Sequence, residues 1–532
     1  MSNKAEENMN FNRVKVLFLV LIMITAAVAG SLCMDKSEEA ISTVSTDSHL
    51  NCVLAQGPSD SLDPANKWVG WYVREFGIYE TLFSYDENMN LQPELATGYE
   101  KISDTEWKIT LRNGVTFHDG TTMDADAVIY SLERVLNSDN SRKSEYDFID
   151  SITSDSDDTI IITTKYPYAP TIASLTDPIM SIVSLEAQDL QNTPVGTGPF
   201  KFKSYEREVS ISLEKFEDYW NGASEIETVD MYIVADGMTR LFMLESGDAD
   251  VSRYIPQSEV ANIESNEDFE IVSKETLRSY FLYINMNKEP FSDVNFRQAM
   301  NYAIDRQEIV DVALEGIGGT PAESVFPSVS EWSINDELEV IERNETKVKE
   351  LLAKAGLEDI DGDGYLEYNG ENFEISILTY TSRPQLKPSA EVIITQFESV
   401  GLKTSLTTME GSAITAKMDE GDYDLALYAW GVAPTGDPDY FFSKHFYSNG
   451  TEALRTGYSN GQVDQWIEDA KKTSDEELRK ECYDNVQRQV LEDCPEIYVF
   501  YQNAITGYDV KVGGYKEYPN EITILTKDIY LN

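Results

Sequence analysis

Residues Glu106–Leu136 read EWKITLRNGVTFHDGTTMDADAVIYSLERVL, and the local chemistry of this stretch sets the fold. Trp107, Ile109 and Leu111 alternate with Lys108, Thr110 and Arg112, which predicts a strand with one apolar face. Asn113-Gly114 is a hairpin signal, because both residue types tolerate positive φ, and Val115–Phe117 is expected to return as a second strand. Asp119-Gly120 marks a further turn. Thr122 or Asp124 then caps a helix, with Asp124 and Asp126 near its positive end and Val128, Leu132, Val135 and Leu136 at helical spacing.

Working outward, the chain has 532 residues, which is too many for one ordinary core and predicts at least two lobes. Hydrophobic residues make up 41%, enough for a folded body, and 94 acids stand against 42 bases for a net charge of −52. A field of that sign repels phosphates and excludes nucleic acid as a partner. It predicts a solvated acidic surface suited to an outside or salty environment; attraction of cationic ligands is the other reading.

At the N-terminus, Arg13 and Lys15 precede an apolar run from Val16 to Ala29. The run has the length of a signal-peptide core and is short for a membrane span. Small residues follow its centre, and Cys33 stands where a lipoprotein carries its lipidated cysteine, although Leu32 departs from the small residue expected before it. Lipidation at Cys33, an uncleaved anchor and cleavage without lipid all place the body outside the cytoplasmic membrane, on its outer face or in a periplasm. Asp35–Ser48 is polar and reads as a flexible tether. Cys52, Cys482 and Cys494 offer no disulfide framework: Cys482 and Cys494 lie twelve residues apart, ~18 Å along a helix, and each reads as a small buried hydrophobe.

Further phrases follow in order: LQPELAT at 91–97, TPVGTGPF at 193–200, FEDYWNG at 216–222 and MLESGDADV at 243–251. Together with the 106–136 stretch, they resemble the family 5 extracellular solute-binding proteins, the peptide- and nickel-binding receptors of ABC importers. The resemblance covers roughly residues 50–530. It implies an α/β, two-lobed periplasmic-binding-protein-like fold (type II, cluster C), with an extra subdomain in lobe I and a hinged ligand cleft. The expected organisation is a signal peptide or anchor at 1–33, a tether at 34–49, lobe I at 50–279 with its extra subdomain at about 95–195, lobe II at 280–497, and a return to lobe I at 498–532. Residues Trp68, Trp71 and Tyr72 are expected before a helix running through Tyr79 and Leu82. In lobe II, Phe373–Ile377, the helix of Val392, Ile393 and Phe397 ending at Gly401, and Leu402–Thr408 read as a β-α-β unit with a parallel pair.

The loop WGVAPTGDPDYFF at 430–442 leaves the carboxyl end of a predicted strand, where open α/β sheets bind ligands. Its resemblance to the dipeptide receptors implies Asp437, with Asp439 second, as the acid that holds a peptide's amino terminus. It also implies Trp430 as a cleft wall, with Trp71 and Tyr72 facing it and Tyr146 among the ligand-binding residues. Nickel receptors of the family grip a chelate's carboxylates with an arginine. The matching segment here, Thr176–Ser181, offers Met180 instead. His445 is the one histidine placed to join a metal in that alternative. Separately, Asp359, Asp361 and Asp363 followed by Gly364 have the spacing of a calcium loop, with Glu367 at its ninth position and Gly370 where a Glu is usual. A structural calcium ion is therefore the candidate cofactor, and none is required for the main function.

The expected function is a non-enzymatic receptor that captures a small peptide or related solute and delivers it to an ABC permease and its ATPase subunits. It is expected to be monomeric and attached to the membrane through the N-terminus only. A nickel-chelate receptor is the alternative. From another class, a secreted hydrolase finds no G-x-S-x-G or H-E-x-x-H in the chain.

Overall fold

The structure is a computed structural model describing residues 48–138 and 140–532; the leader, Cys33 and most of the tether lie outside those residues. Among the described residues no helix is long and apolar enough to cross a membrane.

The quoted stretch forms its strand, Glu106–Leu111, with Trp107, Ile109 and Leu111 buried. The expected hairpin does not follow. Gly114 takes a φ of 79° but Asn113 does not join it in the left-handed region, and a tight primed turn needs both. Val115 and Phe117 drop into the core instead, leaving a single bridge between Thr116 and Thr122. The strand finds its partners elsewhere, between Ala96–Lys101 and Thr159–Thr164, in a four-stranded antiparallel sheet completed by Ile149–Ser156. The helix Ala125–Leu136 then forms as expected. Asp124 accepts the Ala127 N–H at 3.0 Å, and Val128, Leu132 and Val135 face the core.

The second sheet has eleven strands and ties the two lobes together. Its first part runs Phe200–Glu206, Ser210–Lys215, Thr228–Ile233, His49–Leu54 and Val251–Arg253; its last part runs Leu425–Gly431, Glu374–Tyr380 and Lys403–Met409. The β-α-β unit appears as predicted: Glu374–Tyr380 and Lys403–Met409 pair in parallel across the helix Leu386–Glu398. Two long strands, Phe269–Ile284 and Glu496–Asp509, lie between the parts. Near Phe269 they adjoin Val251–Arg253; near Ile284 they adjoin Leu425–Gly431. Their mutual register breaks between Glu275 and Ser279. A bulge there loosens the ladder and bends the strands, so the point where the chain passes between lobes is also where it can flex.

Two local readings change. The helix expected through Tyr79 and Leu82 is instead Val69–Glu75, and it carries Trp71 and Tyr72 itself. Gly77, at φ 66°, ends it, because left-handed backbone cannot continue a right-handed helix. The glycines of TPVGTGPF serve close approach: a Cβ on Gly198 would lie 2.2 Å from the Gly77 carbonyl oxygen, and one on Gly196 at 2.2 Å from that of Ile78. Cys52, Cys482 and Cys494 are free and buried.

Candidate functional site

A cavity of about 920 Å³ lies at the register break between the lobes. Trp71, Tyr72 and Glu75 of the helix Val69–Glu75 line one side. Tyr428, Trp430 and Arg383, from the carboxyl ends of two lobe II strands, line the other. Arg278 and Gln502 of the crossing strands form the floor. Trp430 is half-buried, with its ring edge-on to the His445 imidazole at 5.0 Å. Trp71 meets Trp68 in a T-shaped pair at 5.8 Å. Its indole N–H is buried without a hydrogen-bond acceptor. A buried donor left unpaired costs roughly 1–3 kcal/mol.

Charge is concentrated at the floor. Arg253 donates to Glu517 at 2.6 and 3.1 Å and approaches Glu75 at 3.3 Å. Arg278 grips Glu521 at 2.8 and 2.9 Å, and the Tyr254 hydroxyl donates to the other Glu521 oxygen. Burial raises the Glu521 carboxyl, but Arg278, then Arg383 and Arg253, outweigh it and bring its pKa to about 2. Burial pushes Glu75 up to about 8 against the opposing pull of Arg253. Arg383 has no acid partner among the described residues and is half-exposed to the cavity.

The structure brings Trp71, Tyr72 and Trp430 to the cavity and removes the other predicted ligand residues from it. Asp437 is 5% exposed, and both its oxygens are taken by Arg479 at 2.8 and 3.1 Å. Asp439 is 3% exposed and accepts the Tyr168 and Ser443 hydroxyls at 2.7 and 2.6 Å. Neither carboxylate can receive a peptide amine where it stands. Tyr146 and Met180 are buried in the core of the extra subdomain. His445 is sealed between Phe441, stacked at 3.6 Å, and Tyr283, and its Nδ1 lies 2.6 Å from Glu496. Burial drives its pKa well down, so it stays neutral, but no metal can reach it. Among the described residues lining the cavity there is no histidine, cysteine or methionine.

Away from the cleft, Asp359, Asp361 and Asp363 present carboxylate oxygens within 4.8 Å of one another, all exposed. Glu367 is buried and accepts the Ile360 N–H at 2.7 Å, which closes the loop rather than pointing an oxygen freely into it.

Arg383 and Glu75 were not picked out by sequence reasoning. Arg383 had a signal: it follows the strand Glu374–Tyr380 at its carboxyl end, as Trp430 ends its own strand. Glu75 had none among so many acids.

Residues 90–453 match the middle region of the bacterial extracellular solute-binding proteins, family 5. The chain belongs to that family. Its role is that of the solute-binding protein of an ABC importer. Within family 5, the nickel-binding protein NikA of Staphylococcus aureus is 29% identical over 454 residues, covering 85% of this chain and 88% of that protein. The oligopeptide-binding protein AppA of Bacillus subtilis is 27% identical over 460 residues, covering 83% and 84%. The crystal structure of the Staphylococcus NikA in complex with Ni(L-His)2 superposes with a TM-score of 0.76 at 26% identity, covering 91% of this chain and 100% of that one. This family 5 member therefore shares a two-lobed scaffold with receptors of different cargo, and its own cargo has to be argued from its cleft.

Proposed function

We propose that the protein captures a short peptide, or a similar solute bearing a carboxylate, between its lobes. It works outside the cytoplasmic membrane, held there through its N-terminus, and passes the solute as a monomer to a permease driven by ATPase subunits. One observation carries the choice of ligand: among the described residues, Arg383 is the half-exposed cleft guanidinium with no acid in ion-pair contact. Arg253 and Arg278 are held by Glu517 and Glu521, and Arg240 is buried against the backbone carbonyls of Val234, Ala235, Arg253 and Tyr254. A carboxylate placed there gains a charge-assisted, bidentate hydrogen bond. The aromatic walls of Trp71, Tyr72 and Trp430 give apolar side chains a surface to cover.

A nickel chelate is the second reading, favoured by the same guanidinium, since a chelate's carboxylates would suit Arg383 equally. With no histidine, cysteine or methionine among the described residues at the cavity, its metal would have to be ligated by the chelator. A structural calcium ion in the Asp359 loop also belongs to the proposal, held by oxygens alone.

Thermal unfolding of the purified protein with di- to hexapeptides, against nickel with free histidine, tests the ligand. At 100 times its dissociation constant, a true ligand adds about 2.7 kcal/mol. Stabilisation by peptides that Arg383→Ala removes supports the proposal. Stabilisation by nickel and histidine alone sinks it. Recovery of the peptide intact after long incubation separates a receptor from a hydrolase.

A further inference from the structure

Three carboxylates line the cavity, Glu75, Asp236 and Glu521, and they are not equivalent. Asp236 is exposed and caps the helix Gly237–Ser246, one of its oxygens accepting the Thr239 N–H and hydroxyl at 2.8 and 2.7 Å. Glu521 is fully engaged: one oxygen accepts Tyr254, the other accepts Arg278 twice. Glu517, behind the floor, is engaged by Arg253, by Thr506 at 2.9 Å and by Tyr515 at 2.9 Å. Glu75 has one contact, at 3.3 Å, to the Arg253 nitrogen that Glu517 does not hold. Its side chain is 12% exposed, and that exposure faces the cavity.

Helical spacing then matters. Trp71 and Glu75 are four residues apart on the helix Val69–Glu75, so they share a face. That face holds an under-paired carboxylate beside aromatic rings, and both features favour an ammonium group. Arg383 stands on the opposite lobe with the complementary need. We infer that Glu75 is the specificity-determining residue for a free amino group, so that the ligand is gripped by its ammonium on lobe I and by its carboxylate on lobe II. This rests on the peptide reading above. It moves the amine anchor from Asp437, on lobe II, to the other side of the cleft. Because the ligand's two charges meet different lobes, both bonds form only when the cleft is closed. The ligand thereby binds the closed state more tightly and draws the population toward it.

The raised pKa of Glu75 fits the same geometry: burial raises it, Glu521 and Glu517 add to the rise, and Arg253 and Arg383 do not offset it.

The experiment is calorimetric titration of wild type and Glu75→Gln with one peptide in three forms: free, N-acetylated and C-amidated. For wild type, N-acetylation is expected to weaken binding about tenfold to a hundredfold, the worth of a hydrogen bond between charged groups. Glu75→Gln should lose a similar factor for the free peptide and no longer distinguish the acetylated one, while C-amidation still weakens it. If wild type binds the N-acetylated peptide as tightly as the free one, the inference is overturned and the receptor reading stands; this arm needs no variant. If none of the three forms binds, both fall together.

Discussion

Arg479 holds Asp437 by both oxygens, at 2.8 and 3.1 Å, and both side chains are buried. The guanidinium also donates to the Ala470 carbonyl at 3.1 Å and lies over the Trp332 and Tyr483 rings at 5.3 and 5.5 Å. Asp437 in turn accepts the Asp439 N–H at 3.0 Å, which sets the turn into the helix Asp439–His445. Asp437→Ala is therefore expected to act on stability. It leaves a guanidinium buried without its partner, a loss of about 3–5 kcal/mol. Urea unfolding at neutral pH measures this as a lower midpoint. Replacing both residues by apolar ones should recover much of the loss, because neither charge is then stranded. A variant of Asp437 alone that keeps its midpoint and loses peptide binding would restore the acid to the ligand site.

That pair shows which parts of the chain were legible. The Asp124-capped helix and the Glu374–Met409 unit could be read because their determinants sit within one turn or one alternating run. The partner of Glu106–Leu111 could not. Ile160 and Ile162 lie some fifty residues on, and strand pairing is chosen by tertiary packing rather than by the nearest turn signal. In the site, Trp71, Tyr72 and Trp430 were legible through the family resemblance, which implied them as cleft walls. The charges were not, because whether an acid is free depends on a base far away in the chain. Arg479 comes 42 residues after Asp437, and Glu521 comes 243 after Arg278. With 94 acids to choose from, only the folded arrangement separates the engaged from the available.

His118 supplies a pH dependence. Its Nε2–H donates to the Gly198 carbonyl at 2.9 Å, and the Gly196 N–H donates to its Nδ1 at 3.4 Å, so the ring is held neutral with one nitrogen as donor and the other as acceptor. Burial, with Lys201 adding to it, pulls its pKa from 6.5 to about 4. The folded protein then binds fewer protons than the unfolded chain between those values. Stability from this group is full above about pH 6.5 and is lost progressively as the pH falls to about 4, by about 3 kcal/mol in all. Urea midpoints of wild type and His118→Gln across that range should converge as the pH drops. Parallel curves would show that His118 does not titrate with folding.

The Asp359 loop predicts a metal response. Three exposed carboxylates within 4.8 Å repel one another, and an oxygen-seeking cation relieves that repulsion. Millimolar calcium is expected to raise the melting temperature by about one degree, roughly 1 kcal/mol for a protein of this size. Removal with chelator should reverse the rise, and Asp361→Asn should abolish it. An equal rise with magnesium, or one that survives Asp361→Asn, would mean general screening of the −52 charge rather than a site.

Tyr168 and Asp439 carry the last prediction, since their 2.7 Å hydrogen bond joins the extra subdomain of lobe I to lobe II. The seam around them is specific: Lys444 meets Glu145 at 2.9 Å, the Ala169 N–H donates to the Lys471 carbonyl at 2.6 Å, and the Tyr85 hydroxyl donates to the Thr435 carbonyl at 2.8 Å. Opening the cleft is expected to break these contacts, which would then count toward the closed state alone. Tyr168→Phe deletes one hydrogen bond to a charged acceptor, worth about 1.5–3 kcal/mol at most. Water can rehydrate Asp439 once the lobes part, and Ser443 still holds its other oxygen, so the realised cost is smaller. Binding is expected to weaken about threefold to tenfold, almost wholly through faster release, because the open state that first meets the ligand is unchanged. Stopped-flow release rates, with X-ray scattering of the ligand-free protein, measure both sides of that statement. Unchanged release in Tyr168→Phe would mean that the seam persists when the cleft opens, and that closure depends on the ligand's own bridge between Glu75 and Arg383.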